Sequence, residues 1–246
     1  SRGLGDVYKR QVIGRAFYVD GGSVEIGGII SNIVNDKDMW WAGDGIAVHG
    51  RNSATIKLTD SSLVEYIYDE GKQGKENKVI YGTSSKLVIG GIVQNCYAMN
   101  IVSVSGGKDE KACVISGTIQ DNMSDTNNGY TIACAGTDLT ISESSYICNN
   151  KSGVATVYAP AGANIDLYGH IDNNIGGQCG GIFLYGSYSG GRDITVDMYE
   201  GATLNGNKRD TKGFDLGWQD KLKDRGGAVC SGGSTHGCNA IFTMHG

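Results

Sequence analysis

Short runs in which apolar and polar residues alternate recur along the chain from residue 12 onward. Each run holds two apolar residues separated by one other residue, and the pairs are Val24 and Ile26, Ile56 and Leu58, Leu87 and Ile89, Cys113 and Ile115, Leu139 and Ile141, Ile165 and Leu167, and Ile194 and Val196. Alternation with a period of two is typical of a strand that buries one face. Because the unit returns every 24 to 34 residues, the pattern indicates a repeat protein.

An asparagine follows most of these pairs and serves as the anchor of the repeat. The anchors are Asn32, Tyr66 (in place of asparagine), Asn95, Asn122, Asn150, Asn174 and Asn207. The residue three positions before each anchor is aliphatic, and these residues are Ile29, Leu63, Ile92, Ile119, Ile147, Ile171 and Leu204. We predict that they stack as one interior column, since each unit of a solenoid buries its face on its neighbours. Asparagine tolerates the left-handed backbone of a corner, and stacked amides hydrogen-bond as a ladder.

A further short strand is predicted after each anchor. These strands are expected at 45–48, 100–104, 130–134, 154–158, 181–185 and 227–230. Together with the strands around the apolar pair and the aliphatic residue, they give about three short strands per coil. The sequence therefore predicts an all-β solenoid, with residues 12–246 forming a single β-helix domain fragment that is truncated at both ends.

The first eleven residues, SRGLGDVYKRQ, share nothing with the repeat. They resemble the translation of a sequencing-library adapter. We therefore expect residues 1–11 to be a non-native, adapter-derived segment, and we set them aside before reasoning about the fold. Such an adapter implies metagenome DNA from an uncultured microbe.

Composition and charge narrow the class of protein. Glycine accounts for 40 residues and proline for 1, while 39% of residues are hydrophobic and 19% are charged. This chain is too apolar and too weakly charged for intrinsic disorder. A net charge of -5 argues against a nucleic-acid partner, because phosphate binding needs a basic face. No apolar stretch approaches the roughly 20 residues of a membrane span.

The seven cysteines include no C-x-x-C pair, so they carry no zinc or redox signature. We interpret them as reduced thiols that serve as small apolar core residues, with disulfides as the alternative. We predict no cofactor and no metal site. The four histidines, His49, His170, His236 and His245, stand apart from acids and serines in the repeat alignment and indicate no catalytic triad.

Two kinds of short motif carry a resemblance. Gly180-Gly181-Ile182 and Gly226-Gly227-Ala228-Val229 read GG-aliphatic, while Ile171-Asp172-Asn173-Asn174 and Leu204-Asn205-Gly206-Asn207 read aliphatic-x-x-Asn. With them, the repeat region resembles the right-handed parallel β-helix superfamily of pectin-active enzymes, tailspikes and bacterial surface adhesins. More narrowly, it is similar to the repeats of adhesin-like and polymorphic outer-membrane proteins. The resemblance implies a right-handed parallel β-helix and an extracellular or bacterial cell-surface location.

The first functional hypothesis is a non-catalytic, adhesin-like module that binds through lateral loops, since solenoids vary and bind at their loops. Trp40 and Trp41 lie in one polar segment, and Trp218 lies in a charged insertion. Either these side chains stack on a sugar ring or a partner, or they cover the apolar edge of a coil. The partner would be a carbohydrate or a host or cell-surface protein, and exposed coil edges predict self-association of the fragment.

A row of tyrosines is a weaker binding candidate. Tyr158 and Tyr185 are expected at equivalent strand positions of successive coils, with Tyr188 near them. Such a row would give a platform for a glycan. The plainer interpretation is that tyrosines in register pack well on a sheet.

The alternative hypothesis is a polysaccharide lyase or glycoside hydrolase of the pectin-active β-helix type. Such an enzyme needs carboxylates clustered across neighbouring coils, either to hold calcium or to act as acid and base. In the repeat alignment, acids share a row in adjacent coils nowhere. The nearest approximation is Asp166, Asp172 and Asp197, with Arg192 close to them. We therefore interpret these acids as solvated strand residues and favour a protein without catalytic activity.

Overall fold

The computed structural model describes residues 16–35, 45–69, 77–106, 113–125, 128–186, 192–210, 226–233 and 238–246. Within these ranges the chain forms strands joined by turns and contains no helix. Neighbouring strands pair in parallel, from the first described pair to the last. The protein is therefore all-β, and its parallel sheets are those of a β-solenoid.

One sheet, sheet A, takes a single strand from each passage of the chain. Its strands, in spatial order, are β1 (Phe17–Asp20), β3 (Gly45–Arg51), β5 (Lys78–Thr83), β9 (Asn100–Ser105), β13 (Tyr130–Ala135), β17 (Ala155–Pro160), β21 (Cys179–Gly186) and β24 (Val229–Gly233). The spatial order equals the chain order, so each coil is added on the same side of the previous one. The six strands predicted after the anchors are confirmed as β3, β9, β13, β17, β21 and β24.

The second sheet, sheet B, turns two corners, so a full coil contributes three segments to it. The long strands β2 (Ser23–Asn35) and β4 (Thr55–Asp69) run through all three segments. In later coils the three segments are separate strands. The first segment consists of β6 (Lys86–Ile89), β10 (Cys113–Ile115), β14 (Asp138–Ile141), β18 (Asn164–Leu167), β22 (Ile194–Met198) and β25 (Ala240–Met244). The second consists of β7 (Ile92–Gln94), β11 (Thr118–Gln120), β15 (Tyr146–Cys148) and β19 (His170–Asp172), and the third of β8 (Tyr97–Ala98), β12 (Met123–Ser124), β16 (Lys151–Ser152), β20 (Ile175–Gly176) and β23 (Lys208–Arg209). A coil thus has four strand segments with sheet A included, against about three predicted. The additional one is the two-residue third segment.

The apolar pairs of the repeat point into the space between the two sheets. Two columns of register partners run through the first segment, and each of their members is at most 1% exposed: Ile56, Leu87, Cys113, Leu139 and Ile165 in one, and Leu58, Ile89, Ile115, Ile141 and Leu167 in the other. Inward residues of sheet A, such as Ile80, Val102 and Ile132, complete one continuous core. The predicted burial of these pairs is confirmed except at Val24, which is half-buried against the core.

The predicted aliphatic column is wrong in its first three coils. Ile29, Leu63 and Ile92 are register partners of one another, but they continue into Thr118 and Tyr146 on the outer face. Ile29 is 58% exposed and Ile92 is 39% exposed. The interior column is instead Ile30, Val64, Val93, Ile119, Ile147 and Ile171, each at most 6% exposed. A shift of one residue exchanges the two faces of a strand, so the alignment error inverted three coils.

The error arises because the anchors mix two neighbouring positions. The corner residue has a left-handed backbone in successive coils, with φ between 52° and 63° at Asn32, Tyr66, Asn95, Asp121, Asn149, Asn173 and Gly206. The amide ladder lies one residue later. It comprises Asn122, Asn150, Asn174 and Asn207, while the same position holds Ile33, Ile67 and Cys96 in the earlier coils. Asparagine therefore serves two different purposes in the repeat.

The ladder links four coils inside the core. Each side-chain amide donates to the carboxamide oxygen of the next coil at 3.0 Å, from Asn122 to Asn150, Asn174 and Asn207 in turn. The same amide groups also donate to main-chain carbonyls of the preceding coil, as Asn150 does to Ile119 at 2.9 Å. Because Asn122, Asn150 and Asn174 are at most 2% exposed, the ladder satisfies backbone groups that water cannot reach.

Connection lengths differ sharply between the corners. Within sheet B, the connections between described segments are two to four residues long, as at 90–91, 116–117 and 142–145, except for the nine residues at 199–207. Connections that enter or leave sheet A range from one residue, at position 99, to nineteen, at 210–228. Long connections therefore border sheet A on both sides, whereas all but one of the corners within sheet B are short.

Candidate functional site

Two outer surfaces bring together side chains that could bind a ligand or carry chemistry. The first, the aromatic patch, consists of Tyr130, Tyr158, Phe183 and Tyr185 on the outer face of sheet A. The second, the acidic surface, consists of Asp166, Asp197, Tyr168, Tyr199 and His245 on sheet B. Both surfaces belong to the later coils of the described chain.

Strand alternation places the aromatic patch on the outside of sheet A. Val157 and Ala159 belong to the main core, so Tyr158 between them faces outward. The ring of Tyr130 stacks on that of Tyr158, with centroids 4.2 Å apart and an interplanar angle of 17°. Tyr185 and Phe183 approach the Tyr158 ring at 5.9 Å and 6.1 Å.

The patch rests on a small apolar cluster of its own, outside the main core. The buried members of this outer cluster are Val154, Ala155, Cys179, Phe183 and Cys230, with the three tyrosines partly buried against them. Packing against this cluster restricts the rotamers of the aromatic side chains before any ligand binds. Such a surface binds at a low entropic cost.

The predicted row of equivalent tyrosines is wrong in its register. Tyr158 pairs with Phe183, and Tyr185 pairs with Pro160. The two tyrosines still contact each other diagonally, because Tyr185 lies two residues after Phe183, the direct partner of Tyr158, and aromatic side chains reach such diagonal neighbours. Tyr188, Trp40, Trp41 and Trp218 lie outside the described residues, so their predicted binding role stays a prediction.

The acidic surface contains a carboxylate pair that the repeat alignment missed. Asp166 on β18 and Asp197 on β22 are direct register partners, in strands that lie about 4.8 Å apart. The prediction that acids share a row nowhere is therefore wrong. The alignment had matched Ile165 with Ile194, whereas the structure pairs Ile165 with Val196. That shift moves Asp197 beside Asp166.

Aromatic rings line the corner beside these two acids. Tyr168 and Tyr199 stack with centroids 4.1 Å apart, and Tyr199 stacks on His245 at 4.8 Å. His245 Nε2 lies 3.0 Å from Asp197 Oδ1, and the Tyr199 hydroxyl donates to Asp166 Oδ1 at 3.4 Å. The hydrogen bond with Tyr168, together with burial and the charge of Asp166, raises the pKa of Tyr199 to about 12.

Asp172 takes part in a different group of contacts. Its carboxylate accepts hydrogen bonds from the Thr203 hydroxyl at 2.8 Å and from the Asn205 main-chain N–H at 2.7 Å. His170 Nδ1 lies 2.8 Å from the same Thr203 oxygen. Since the single hydroxyl proton goes to Asp172, His170 must donate from Nδ1. These bonds join two coils and use the Asp172 oxygens structurally.

The prediction that the histidines stand apart from acids is therefore wrong for two of them. His245 contacts Asp197 directly, and His170 reaches Asp172 through Thr203. Sequence alignment could not detect these contacts, because His245 lies 48 residues from Asp197, and His170 reaches Asp172 only through Thr203, which lies 33 residues away on the next coil. His236 lies outside the described residues.

Arg192 lies at the corner between sheet A and β22, where its carbonyl accepts a hydrogen bond from Gly162 N at 2.9 Å. The contacts of the described residues include none between its guanidinium and Asp166, Asp172 or Asp197. Of the four residues named for catalysis, the structure thus brings together only Asp166 and Asp197. Within the described ranges, no group of three His, Cys, Asp or Glu side chains is arranged to hold a metal ion.

Several residues of the two surfaces were missed from the sequence. Tyr168, Tyr199 and His245 each directly follow the last residue of a first-segment strand, which was the available signal. Tyr130 and Phe183 gave no comparable signal, because their meeting depends on the register within sheet A. Comparison with protein families, with curated proteins and with solved structures finds no match to this chain. The described residues contain no helix of the length and apolarity required to cross a membrane.

Proposed function

We propose that this chain is a right-handed parallel β-helix that acts as a non-catalytic, adhesin-like binding module outside the cell or on a bacterial cell surface. Right-handedness is supported by a general rule, since crossovers between parallel strands of one sheet are right-handed in about 98% of cases. The resemblance of the repeat motifs to surface adhesins supports the location. An experimental structure that traces a left-handed coil would contradict the fold proposal.

The observation that carries the binding proposal is the unequal length of the corners. Connections of up to nineteen residues border sheet A, while those within sheet B are two to four residues long except for the nine at 199–207. A solenoid keeps its register where coils stack and varies where it recognises a partner. Sheet A, with the aromatic patch on its outer face, is therefore the proposed binding face. Its partner is a carbohydrate or a cell-surface protein.

A pair of matched tyrosine substitutions tests this assignment. Tyr185→Ser removes an aromatic ring from sheet A, whereas Tyr146→Ser removes a tyrosine on sheet B that is 49% exposed. Ligands are first identified on a glycan array and on immobilised cell-surface proteins. We expect Tyr185→Ser to weaken binding about tenfold and Tyr146→Ser to leave it unchanged. Equal effects of the two substitutions would contradict the assignment to sheet A, and loss of binding only in Tyr146→Ser would move the binding face to sheet B.

The second candidate function is a glycoside hydrolase or polysaccharide lyase. The register pair of Asp166 and Asp197 favours it, because retaining glycosidases use carboxyl groups roughly 5 Å apart. However, Asp197 is bound to His245 and Asp166 to Tyr199, so both acids have partners within the coil surface. We place this candidate second for that reason.

An activity assay separates the two candidates. The purified chain is incubated with polygalacturonate and other acidic glycans, and both reducing ends and unsaturated products are measured. We expect no product. Activity that is lost in Asp166→Asn and Asp197→Asn but kept in Asp138→Asn, an acid of the same sheet that bonds Asn164, would replace the binding proposal with the enzymatic one.

Self-association is part of the same proposal. Among the described strands, β1 and β24 each pair on one side only, and β25 carries Met244 with 73% and Ile241 with 44% of their surface exposed. Open edges of this kind pair with other strands. Light scattering is expected to detect oligomers whose size increases with concentration, and a monodisperse monomer would argue against this part.

A further inference from the structure

Two thiols share the outer cluster beneath the aromatic patch. Cys179 begins β21 and Cys230 lies on the neighbouring strand β24, and their residues are 0% and 7% exposed. Both belong to the cluster around Phe183, apart from the main core. Cys179 and Phe183 are four residues apart on β21, and residues at an even spacing share one face of a strand.

The hydrogen bonds of these thiols cross between the two strands. Cys179 Sγ donates to the carbonyl of Ile182 at 3.2 Å and lies 3.9 Å from that of Ala228. Cys230 Sγ lies 3.9 Å from the carbonyl of Gln178. The register partner of Cys230 is Phe183, but Cys230 Sγ reaches back to the carbonyl of Gln178, the residue directly before Cys179. Cys179 Sγ in turn faces the main chain two residues before Cys230.

We propose that Cys179 and Cys230 form an oxidisable pair whose disulfide fastens β24 to β21 beneath the binding face. The inference rests on the proposed location outside the cell, where disulfides form and persist. A disulfide oxidant such as oxidised glutathione completes the chemistry. The bond joins successive coils at the base of the aromatic patch.

The reaction is a two-step thiol–disulfide exchange. The Cys230 thiolate attacks one sulfur of oxidised glutathione, forming a mixed disulfide and releasing one reduced glutathione. The Cys179 thiolate then attacks the Cys230 sulfur and releases the second. The two protein thiols lose two protons and two electrons in total, and both electrons leave with the two glutathione thiols. Cys230 reacts first, because it is the more exposed and lies on a strand with one described neighbour.

The other three buried thiols, Cys96, Cys113 and Cys134, belong to the main core instead, where Cys113 lies close enough to Cys134 to raise its pKa. Burial in the main core raises the pKa of Cys96 and of Cys113 to about 12 and also raises that of Cys134. The first exchange step requires contact with glutathione, and these three residues are at most 2% exposed, so they resist exchange in the folded protein. Cys148 and Cys238 are half-buried, and they are the competitors that an experiment must distinguish.

The proposed bond would close the segment 180–229, which contains the long connection before β24. Closing a loop of this size restricts the unfolded chain. We expect the melting temperature to rise by roughly 5–15 °C on oxidation. The open edge of sheet A would then be covalently held.

Peptide mapping of the full chain tests the proposal. Protein purified with reductant is exchanged into a glutathione buffer of oxidising poise, and remaining thiols are alkylated in denaturant before non-reducing digestion. We expect a peptide that links Cys179 to Cys230 and five alkylated cysteines out of seven. Cys230→Ser should abolish both the link and the rise in melting temperature, and Cys113→Ser, the matched core control, should keep both.

Two results would overturn the proposal. One is full alkylation of both cysteines after oxidation, with circular dichroism confirming that the protein is folded. The other is a dominant link from either cysteine to Cys238 or Cys148. Because none of these readouts depends on a ligand, failure here would leave the binding proposal standing, and failure of binding would leave the disulfide intact.

Discussion

The buried amide ladder allows a stability prediction with an internal control. Asn150 is 1% exposed, and its side chain makes four hydrogen bonds. Its oxygen accepts from the N–H and the Nδ2 of Asn122, and its amide donates to Asn174 and to the carbonyl of Ile119. Asn150→Ala would strand the main-chain N–H of Asn122 and the carbonyl of Ile119. Each buried unsatisfied group costs about 1–3 kcal/mol, so we expect a loss of about 2–6 kcal/mol.

Asn164→Ala is the matched control. Asn164 also bonds both neighbouring coils, donating to Asp138 and accepting from Thr195 at 2.8 Å each. It is exposed, so water replaces the lost partners. We expect its substitution to change the free energy of unfolding by less than about 0.5 kcal/mol.

Urea unfolding followed by circular dichroism compares the two variants with the parent chain. Hydrogen exchange adds a local readout, because the amide proton of Asn122 should exchange faster in Asn150→Ala and unchanged in Asn164→Ala. If both variants lose the same free energy of unfolding, the contribution of the ladder does not depend on its burial, and the reasoning is refuted.

Three further predictions concern other parts of the coil. Tyr66→Asn should stabilise the protein by about 1 kcal/mol in urea unfolding, because Tyr66 is 53% exposed and adopts a left-handed backbone that asparagine tolerates better than tyrosine does. Destabilisation would show that the tyrosine ring has a packing role. Gly117→Ala should cost about 1–3 kcal/mol, because a Cβ there would overlap the carbonyl of Gly91; an unchanged urea midpoint would contradict that close approach. The raised pKa of Tyr199 means that the folded state holds the phenol proton more tightly than the unfolded state does, so the stability from this group is complete below about pH 10 and is lost as pH rises towards 12. Tyr168→Phe should lower the pKa of Tyr199 in an ultraviolet titration, and an unshifted curve would exclude the hydrogen bond between Tyr168 and Tyr199.

The periodicity of the sequence predicted the coils and the inward pairs, because burial between two sheets forces alternation on the chain. It could not fix the register at Asn95 and Asn122. Both are asparagines near an aliphatic residue, yet one supplies a left-handed corner and the other a buried amide. The corner asparagine and the ladder asparagine differ only in their distance from the preceding inward residue. A difference of one residue in corner length therefore conceals which of the two an asparagine is.

The same limit explains what was missed at the candidate sites. Asp166 and Asp197 are neighbours only because β22 pairs two residues away from the alignment that its apolar residues suggested. The observed partners of Ile165 and Leu167 are Val196 and Met198. The predicted partners, Ile194 and Val196, are equally apolar, so hydrophobicity does not distinguish the two registers. Outer-face chemistry follows from inner-face register, so an ambiguity in the core displaces every contact on the surface.

The unequal corners also determine how such a chain can change. A residue inserted at 116–117 would shift the strands on both sides and turn their apolar faces outward. A segment inserted in the long connections beside sheet A would leave the stacked coils as they are. The loops beside sheet A can therefore diversify while the stacked coils stay unchanged. Foreign peptides grafted into several of these loops should accordingly be displayed in multiple copies along the solenoid.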